Sequence, residues 1–185
     1  MIRILDFTIS LIGLILLSPL ILLLIILGWF DTRSPLFFQK RVGRLQKPFV
    51  LVKFRTMRTD TPNIASHLVN ISSITPLGHI LRRSKLDEIP QLWNVIRGEM
   101  SLVGPRPSLI TQRSLITERE KLGIHEVRPG ITGLAQIQGV DMTVPKLLAE
   151  TDAQMLRTLN LRKYFAYIIW TVLGKGSGDK VKRKL

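Results

Sequence analysis

The chain has 185 residues, with 27 Lys and Arg against 13 Asp and Glu, no cysteine and a formal net charge of +14. That length predicts one compact domain, and the lack of cysteine excludes disulfide scaffolds, thiolate zinc sites and cysteine nucleophiles. The charge is unevenly placed: residues 1–30 hold Arg3 and Asp6 alone, so the rest of the chain carries the whole surplus. Such a basic body suits nucleic acid, an anionic membrane surface or a phosphorylated substrate.

Phe7 to Phe30 is a run of 24 residues without a formal charge, long enough for a membrane segment. A cleaved signal peptide fits less well than an anchor. The run is too long, and Trp29-Phe30-Asp31-Thr32-Arg33 stands where a small-residue cleavage site would be. Ser18-Pro19 interrupts it midway; proline removes a helix hydrogen bond and presses on the carbonyl of Ile15, so a kink is expected. Both flanks are positive, Arg3 on one side and Arg33, Lys40, Arg41 and Arg44 on the other. The positive-inside preference would keep both in the cytoplasm, which requires a re-entrant helix that bends at Ser18-Pro19 and returns. A kinked helix that crosses is the alternative, since proline is tolerated in membrane helices.

Residues 32–185 read as a body of short strands and helices, which makes the fold class α+β with a membrane-associated N-terminal segment over 1–31. Leu36–Phe54 predicts two short strands around a basic turn, punctuated by Gly43 and Lys47-Pro48. Residues 60–75 are polar and predict a loop. Short helices are expected over 87–97 and 108–122, a strand or apolar turn over 131–137, and two further helices over 144–159 and 161–173. On the last, Tyr164, Phe165, Tyr167, Ile168, Ile169 and Trp170 form an aromatic surface flanked by Arg162, Lys163 and Lys175. That pattern suits an amphipathic helix at the headgroup boundary. The stretch from Gly174 to Asp179 lacks the spacing of a phosphate loop and reads as a basic tail.

His67, His79 and His125 are isolated, with no metal-ligand spacing. The acid pair Asp87-Glu88 follows Arg82, Arg83 and Lys85, with Pro90 just after it. Asp87 as a simple helix N-cap explains the pair, with Glu88 favouring the dipole. The chemical reading is a carboxylate nucleophile or a set of Mg²⁺ ligands beside N–H groups that take phosphate. A carboxylate approaches phosphorus only where cations neutralise the phosphate. Arg106, held between prolines in Gly104-Pro105-Arg106-Pro107, supplies a two-pronged donor. Arg128 in Arg128-Pro129-Gly130 repeats the device, and Arg41, Lys53 and Arg55 add charge that would also suit anionic lipid.

The string from Ser84 through Leu86-Asp87-Glu88-Ile89-Pro90-Gln91-Leu92-Trp93-Asn94 to Gly104-Pro105-Arg106-Pro107 strongly resembles the bacterial sugar transferases, the small monotopic phosphoglycosyl transferases. Gln39-Lys40-Arg41-Val42-Gly43, Lys53-Phe54-Arg55-Thr56-Met57 and Arg128-Pro129-Gly130-Ile131-Thr132-Gly133 match the same family in the same order. The resemblance implies that Asp87 attacks the β-phosphate of a UDP-sugar and releases UMP. Undecaprenyl phosphate would then take the phosphosugar. It further implies that Glu88 assists through Mg²⁺, that Arg106 holds phosphate, and that the anchor is re-entrant, with the body on the cytoplasmic face of the bacterial inner membrane. Asp152 fits a family pattern in which a tyrosine follows three residues later, but Met155 stands there instead. No helix-turn-helix or aromatic-basic RNA motif supports a nucleic-acid partner. The rival readings are a membrane-tethered binding module and a glycosyltransferase that releases UDP.

Overall fold

A computed structural model describes residues 2–62 and 69–175; His67 and most of the expected basic tail lie outside the described residues. The chain opens with α1 (Ile2–Leu16) and α2 (Ser18–Thr32), which meet at 63°. The break falls at Ser18-Pro19 as expected. Pro19 has no N–H to offer the carbonyl of Ile15, and the Ser18 hydroxyl donates to that oxygen instead at 2.7 Å. Among the described residues no single helix is long and apolar enough to cross a membrane, but the bent pair together meets that test.

The two faces of this pair differ sharply. Phe7, Ile12, Ile15, Leu16, Leu22 and Phe30 point outward and are exposed. On the inner side Leu24 joins Phe54 and Leu81 in a small apolar cluster. The inner side of α1 buries the polar Asp6 and Ser10 beside Ile9, which packs on the main core, and Arg3 donates to the carbonyls of Val95 and Ile96. Asp6, 2% exposed, accepts from the Ser101 hydroxyl at 2.9 Å, the Leu102 N–H at 2.9 Å and the Tyr164 hydroxyl at 2.7 Å.

The expected hairpin forms from β1 (Leu36–Val42) and β2 (Pro48–Phe54), antiparallel, with Leu36 opposite Phe54 and Val42 opposite Pro48. After the polar stretch comes a helix the sequence reading did not foresee, α3 (Pro76–Ser84). Its start has a local cause: the Thr75 hydroxyl accepts from the Gly78 N–H at 2.9 Å, and Pro76 fills the first turn.

The helix expected over 87–97 is shorter. Lys85 takes a left-handed conformation (φ 59°) that ends α3, Leu86–Glu88 forms a separate 3-10 turn, and α4 runs Gln91–Ile96. Pro90, not Asp87, stands at the N-cap of α4. Asn94 on α4 ties it to the hairpin, accepting from the Val52 N–H at 3.0 Å and donating to the Val50 carbonyl at 2.7 Å.

β3 (Ser101–Val103) pairs in parallel with β4 (Gly130–Thr132). The helix expected from 108 begins later, as α5 (Arg113–Lys121), because Leu109 is held in a bridge to Arg41. The stretch 131–137 divides between β4 and α6 (Leu134–Gln138). α7 (Pro145–Thr158) and α8 (Leu161–Val172) appear close to their expected bounds. α8 corrects the reading of a wholly outward aromatic surface. Tyr164 and Tyr167 enter the main core with Phe49, Leu51, Met100 and Met155, whereas Phe165, Ile169 and Trp170 stay exposed. Burial first, then its hydrogen bond and proximity to Asp6, holds the Tyr164 hydroxyl far above its ordinary pKa.

Candidate active site

The site grows from two turns that meet backbone to backbone. The Gly104 N–H donates to the Thr132 carbonyl at 2.8 Å, and the Gly130 N–H donates to the Pro105 carbonyl at 2.9 Å. A Cβ on Gly130 would lie 2.0 Å from the Gly104 nitrogen, so this approach demands glycine. Arg106 leaves this junction and reaches Glu88, with Nη2 to Oε1 at 3.1 Å. The proline-flanked arginine and the acid pair, separate in sequence, are thus one cluster.

Asp87, 6% exposed, sits in the 3-10 turn that packs on β2 and the end of α3. Lys85, half-buried beside it, has its pKa lowered by burial first and by Arg106, against the opposing pull of Glu88. Beside Arg106 lies a small pocket lined by Arg41, Lys53, Gln91, Arg106 and Pro107, with Leu51 and Ile131 as apolar wall. A second pocket shares Lys53 and adds Phe37, Arg55, Arg58 and Arg82. Lys53, 8% exposed, therefore faces both. The Lys53 ammonium and the Arg55 guanidinium stand 5.6 and 5.3 Å from the Phe37 ring centre.

The other expected cations are placed differently. Arg41 is buried and donates to the Pro107 carbonyl at 3.0 Å and to Gln39 Oε1 at 2.5 Å, bolting β1 to the Pro-Arg-Pro turn. Arg55 donates to the Ser34 carbonyl at 2.8 Å and to the Ser34 hydroxyl at 3.1 Å, and burial lowers its pKa. Arg128 donates to the Gly98 carbonyl at 2.7 Å and lines a different cavity, with Arg3, Asp6 and Arg44 at the foot of α1. Its backbone belongs to the Gly104 junction, but its side chain lines neither pocket beside Lys53.

No group of three His, Cys, Asp or Glu that could hold a metal ion occurs among the described residues. Mg²⁺ does not require one, because it commonly binds through one or two carboxylates plus substrate phosphates and water. Asp87 and Glu88, neighbours in sequence, are the carboxylates that could hold it in that mode, with Glu88 using one oxygen for Arg106.

Sequence reasoning passed over Lys85 and Gln91 as site residues. It also passed over the buried ion pair of Arg119 and Asp152 (2.7 Å) behind Arg106. Lys85 lay in the motif itself, whereas Arg119 stands in Glu118-Arg119-Glu120-Lys121, which reads as a solvated face. Met155, where the resemblance would put tyrosine, is fully buried and accepts from the Leu134 N–H through sulfur at 3.2 Å.

The family model described as bacterial sugar transferase matches residues 1–175. A protein of Bacillus subtilis named "Uncharacterized sugar transferase EpsL" is 43% identical over 138 residues, covering 74% of this chain and 68% of the relative. The "Undecaprenyl-phosphate glucose phosphotransferase" of Komagataeibacter xylinus is 39% identical over 177 residues, 91% of this chain but 33% of that protein. A "UDP-glucose:undecaprenyl-phosphate glucose-1-phosphate transferase" of Caulobacter vibrioides is 40% identical over 182 residues, 92% of this chain and 67% of the relative. With the match spanning the bent helix pair, the acid pair and both glycine turns, the chain belongs to the bacterial sugar transferase family.

Proposed function

We propose that this protein transfers a sugar 1-phosphate from a UDP-sugar to undecaprenyl phosphate, as the names of its relatives describe for glucose. In the first step an Asp87 carboxylate oxygen bonds to the β-phosphorus, the bond to the bridging oxygen breaks, and UMP leaves with that oxygen. In the second, an oxygen of undecaprenyl phosphate bonds to the same phosphorus and the aspartyl bond breaks, giving the diphosphate-linked lipid sugar and restoring Asp87. Splitting one transfer into two displacements is covalent catalysis, and transfer between crowded oxyanions depends on positioning and charge neutralisation.

The observation that carries this reading is the Glu88–Arg106 ion pair, next in sequence to the buried Asp87 and beside a pocket lined by Lys53 and Arg41. Lys53 and Arg106 neutralise the diphosphate, and the buried setting of Asp87 keeps water from competing for the phosphosugar. Mg²⁺, held by Asp87 and Glu88, would supply further charge neutralisation on the diphosphate.

The bent α1–α2 pair is the membrane element, re-entrant from the cytoplasmic face of the inner membrane, and residues 32–185 form the catalytic body. The 63° bend, the exposed outer face and the positive flanks support this. The outer face of α8 lies on the anionic headgroups beside it.

A panel of UDP-sugars with undecaprenyl phosphate and Mg²⁺, read as released nucleotide, tests the reaction. UMP is expected. UDP would make the enzyme a glycosyltransferase, and no nucleotide release would leave a binding module. Labels at the two termini test the topology; access from opposite sides of the membrane would reject the re-entrant arrangement.

A further inference from the structure

The turn that carries Arg106 is short of its own hydrogen bonds. Pro105 and Pro107 have no N–H, so the backbone around Arg106 cannot be pinned by its immediate neighbours. Its carbonyls are held from outside instead. Pro105 accepts from the Gly130 N–H at 2.9 Å, Pro107 from Arg41 Nη1 at 3.0 Å, and Arg106 from Arg119 Nη1 at 2.8 Å. Arg41 also lines the pocket beside Arg106, whereas Arg119 lines neither that pocket nor its neighbour.

Arg119 is 3% exposed and Asp152 1% exposed. Asp152 Oδ2 accepts from Nε at 3.0 Å and Nη2 at 2.7 Å, which orients the guanidinium and leaves Nη1 for the carbonyl. A buried ion pair is a weak source of stability, and an apolar pair of similar size would pack α5 on α7 as well. Among the described residues the buried Asp152 Oδ1 has no hydrogen-bond partner, which is not an arrangement tuned for stability alone. What an apolar pair would not supply is the donor to Arg106.

We propose that Arg119 and Asp152 are positioning residues for the transfer: their ion pair fixes the Arg106 main chain, so that its guanidinium stands beside Glu88 and the pocket. The proposal rests on Arg106 being a phosphate-binding residue of the reaction proposed above. It also gives the C-terminal third of the chain a role, since α7 reaches the chemistry through Arg119 rather than by touching substrate.

A double-mutant cycle in the full-length protein tests it, with UMP release measured on the UDP-sugar that the panel selects. Arg119→Lys keeps a cation for Asp152 but loses the planar fork that sets Nε and Nη2 on the carboxylate and Nη1 on the carbonyl. We expect it to lower kcat/KM about 10- to 100-fold, the scale of a misplaced reacting group. In an Arg106→Lys background the same substitution should cost less than about 2-fold, because the group it positions is already gone. Equal losses in both backgrounds, or no loss in the first, would overturn the positioning role. Should Arg119→Lys fail to fold, Asp152→Asn is read in the same cycle, with the same two outcomes. Full activity of Arg106→Lys alone would instead remove Arg106 from the reaction, and the route through it. Loss in Arg106→Lys with additive Arg119→Lys sinks the positioning role and leaves the reaction standing.

Discussion

Two buried aspartates, one at the foot of α1 and one in the turn before α4, have opposite surroundings. Around Asp6 the acceptor capacity is spent on uncharged donors: a serine hydroxyl, a backbone N–H and a tyrosine hydroxyl. Around Asp87 the neighbours are charged. Glu88 pairs with a partly exposed Arg106, Lys85 is half-buried, and a pocket opens beside them. A closed set of neutral hydrogen bonds fixes one geometry for Asp6, although a cavity shared with Arg3, Arg44 and Arg128 opens beside it. In the proposed reaction the cations around Asp87 would take the phosphates of the substrate. Burial alone therefore does not separate the two aspartates; the charge of the groups around them does.

The largest expected effect separates the two outright. Asp87→Asn keeps the shape and removes the nucleophile, so UMP release should fall at least about 1,000-fold. Its melting temperature in detergent and its membrane association should stay at the wild-type values. Wild-type turnover in this variant would take Asp87 out of the reaction.

Asp6→Asn should do the reverse. The amide oxygen can keep the Leu102 and Tyr164 donors, but these become neutral bonds and the NH₂ forces the Ser101 hydroxyl to accept, so stability should fall by about 1–2 kcal/mol. Thermal unfolding in detergent reads that loss. The folded fraction should keep kcat within about 3-fold, since Asp6 touches nothing that reacts. A collapse of kcat at unchanged melting temperature would erase the distinction between the two aspartates.

The sequence shows these two regions unequally, for physical reasons. The hairpin and the bend depend on local chemistry: Gly43 and Lys47-Pro48 break the apolar runs, and Pro19 strips a carbonyl of its partner. The site strings were legible too, because Asp87, Glu88 and Arg106 carry their chemistry in their types. What held Asp87 in place was not. Its expected N-cap role failed because Lys85 turns left-handed and Pro90 starts α4. α3 was signalled by Thr75-Pro76 but hidden behind a polar stretch. Asp6 read as one stray charge, since its partners Ser101, Leu102 and Tyr164 come from distant segments. The parallel pairing of β3 with β4 leaves no local pattern at all.

Lys85, whose ammonium donates to the Lys175 carbonyl at 2.6 Å, offers a pH test of the cluster around Asp87. Burial lowers its pKa, so its ammonium is lost before an ordinary lysine near pH 10.4 would lose it. If that charge helps neutralise phosphate, activity falls across the window between the lowered and the ordinary value. Stability moves the other way there, because the unfolded chain binds the proton that the folded one has shed, so unfolding free energy rises with pH. Lys85→Arg should keep its charge throughout and move the alkaline limb of the rate profile to higher pH. An unmoved limb would place Lys85 outside the phosphate site.

The smallest effect belongs to the bend, on the Asp6 side of the comparison. Ser18 offers its hydroxyl to the carbonyl that Pro19 cannot serve. Ser18→Ala removes that donor but leaves proline, so the bend should persist while Ile15 loses its partner, at a cost of about 1 kcal/mol. Thermal unfolding should fall by a few degrees, and terminal labels should report unchanged topology. Pro19→Ala is the sharper arm. An alanine N–H there can restore the bond to Ile15 and let α1 and α2 run on as one helix. If proline alone sets the bend, only the second variant should move a terminus across the membrane. Topology that survives both would mean that the bonds of Arg3 and Asp6 to the body hold α1 in place without help from the bend.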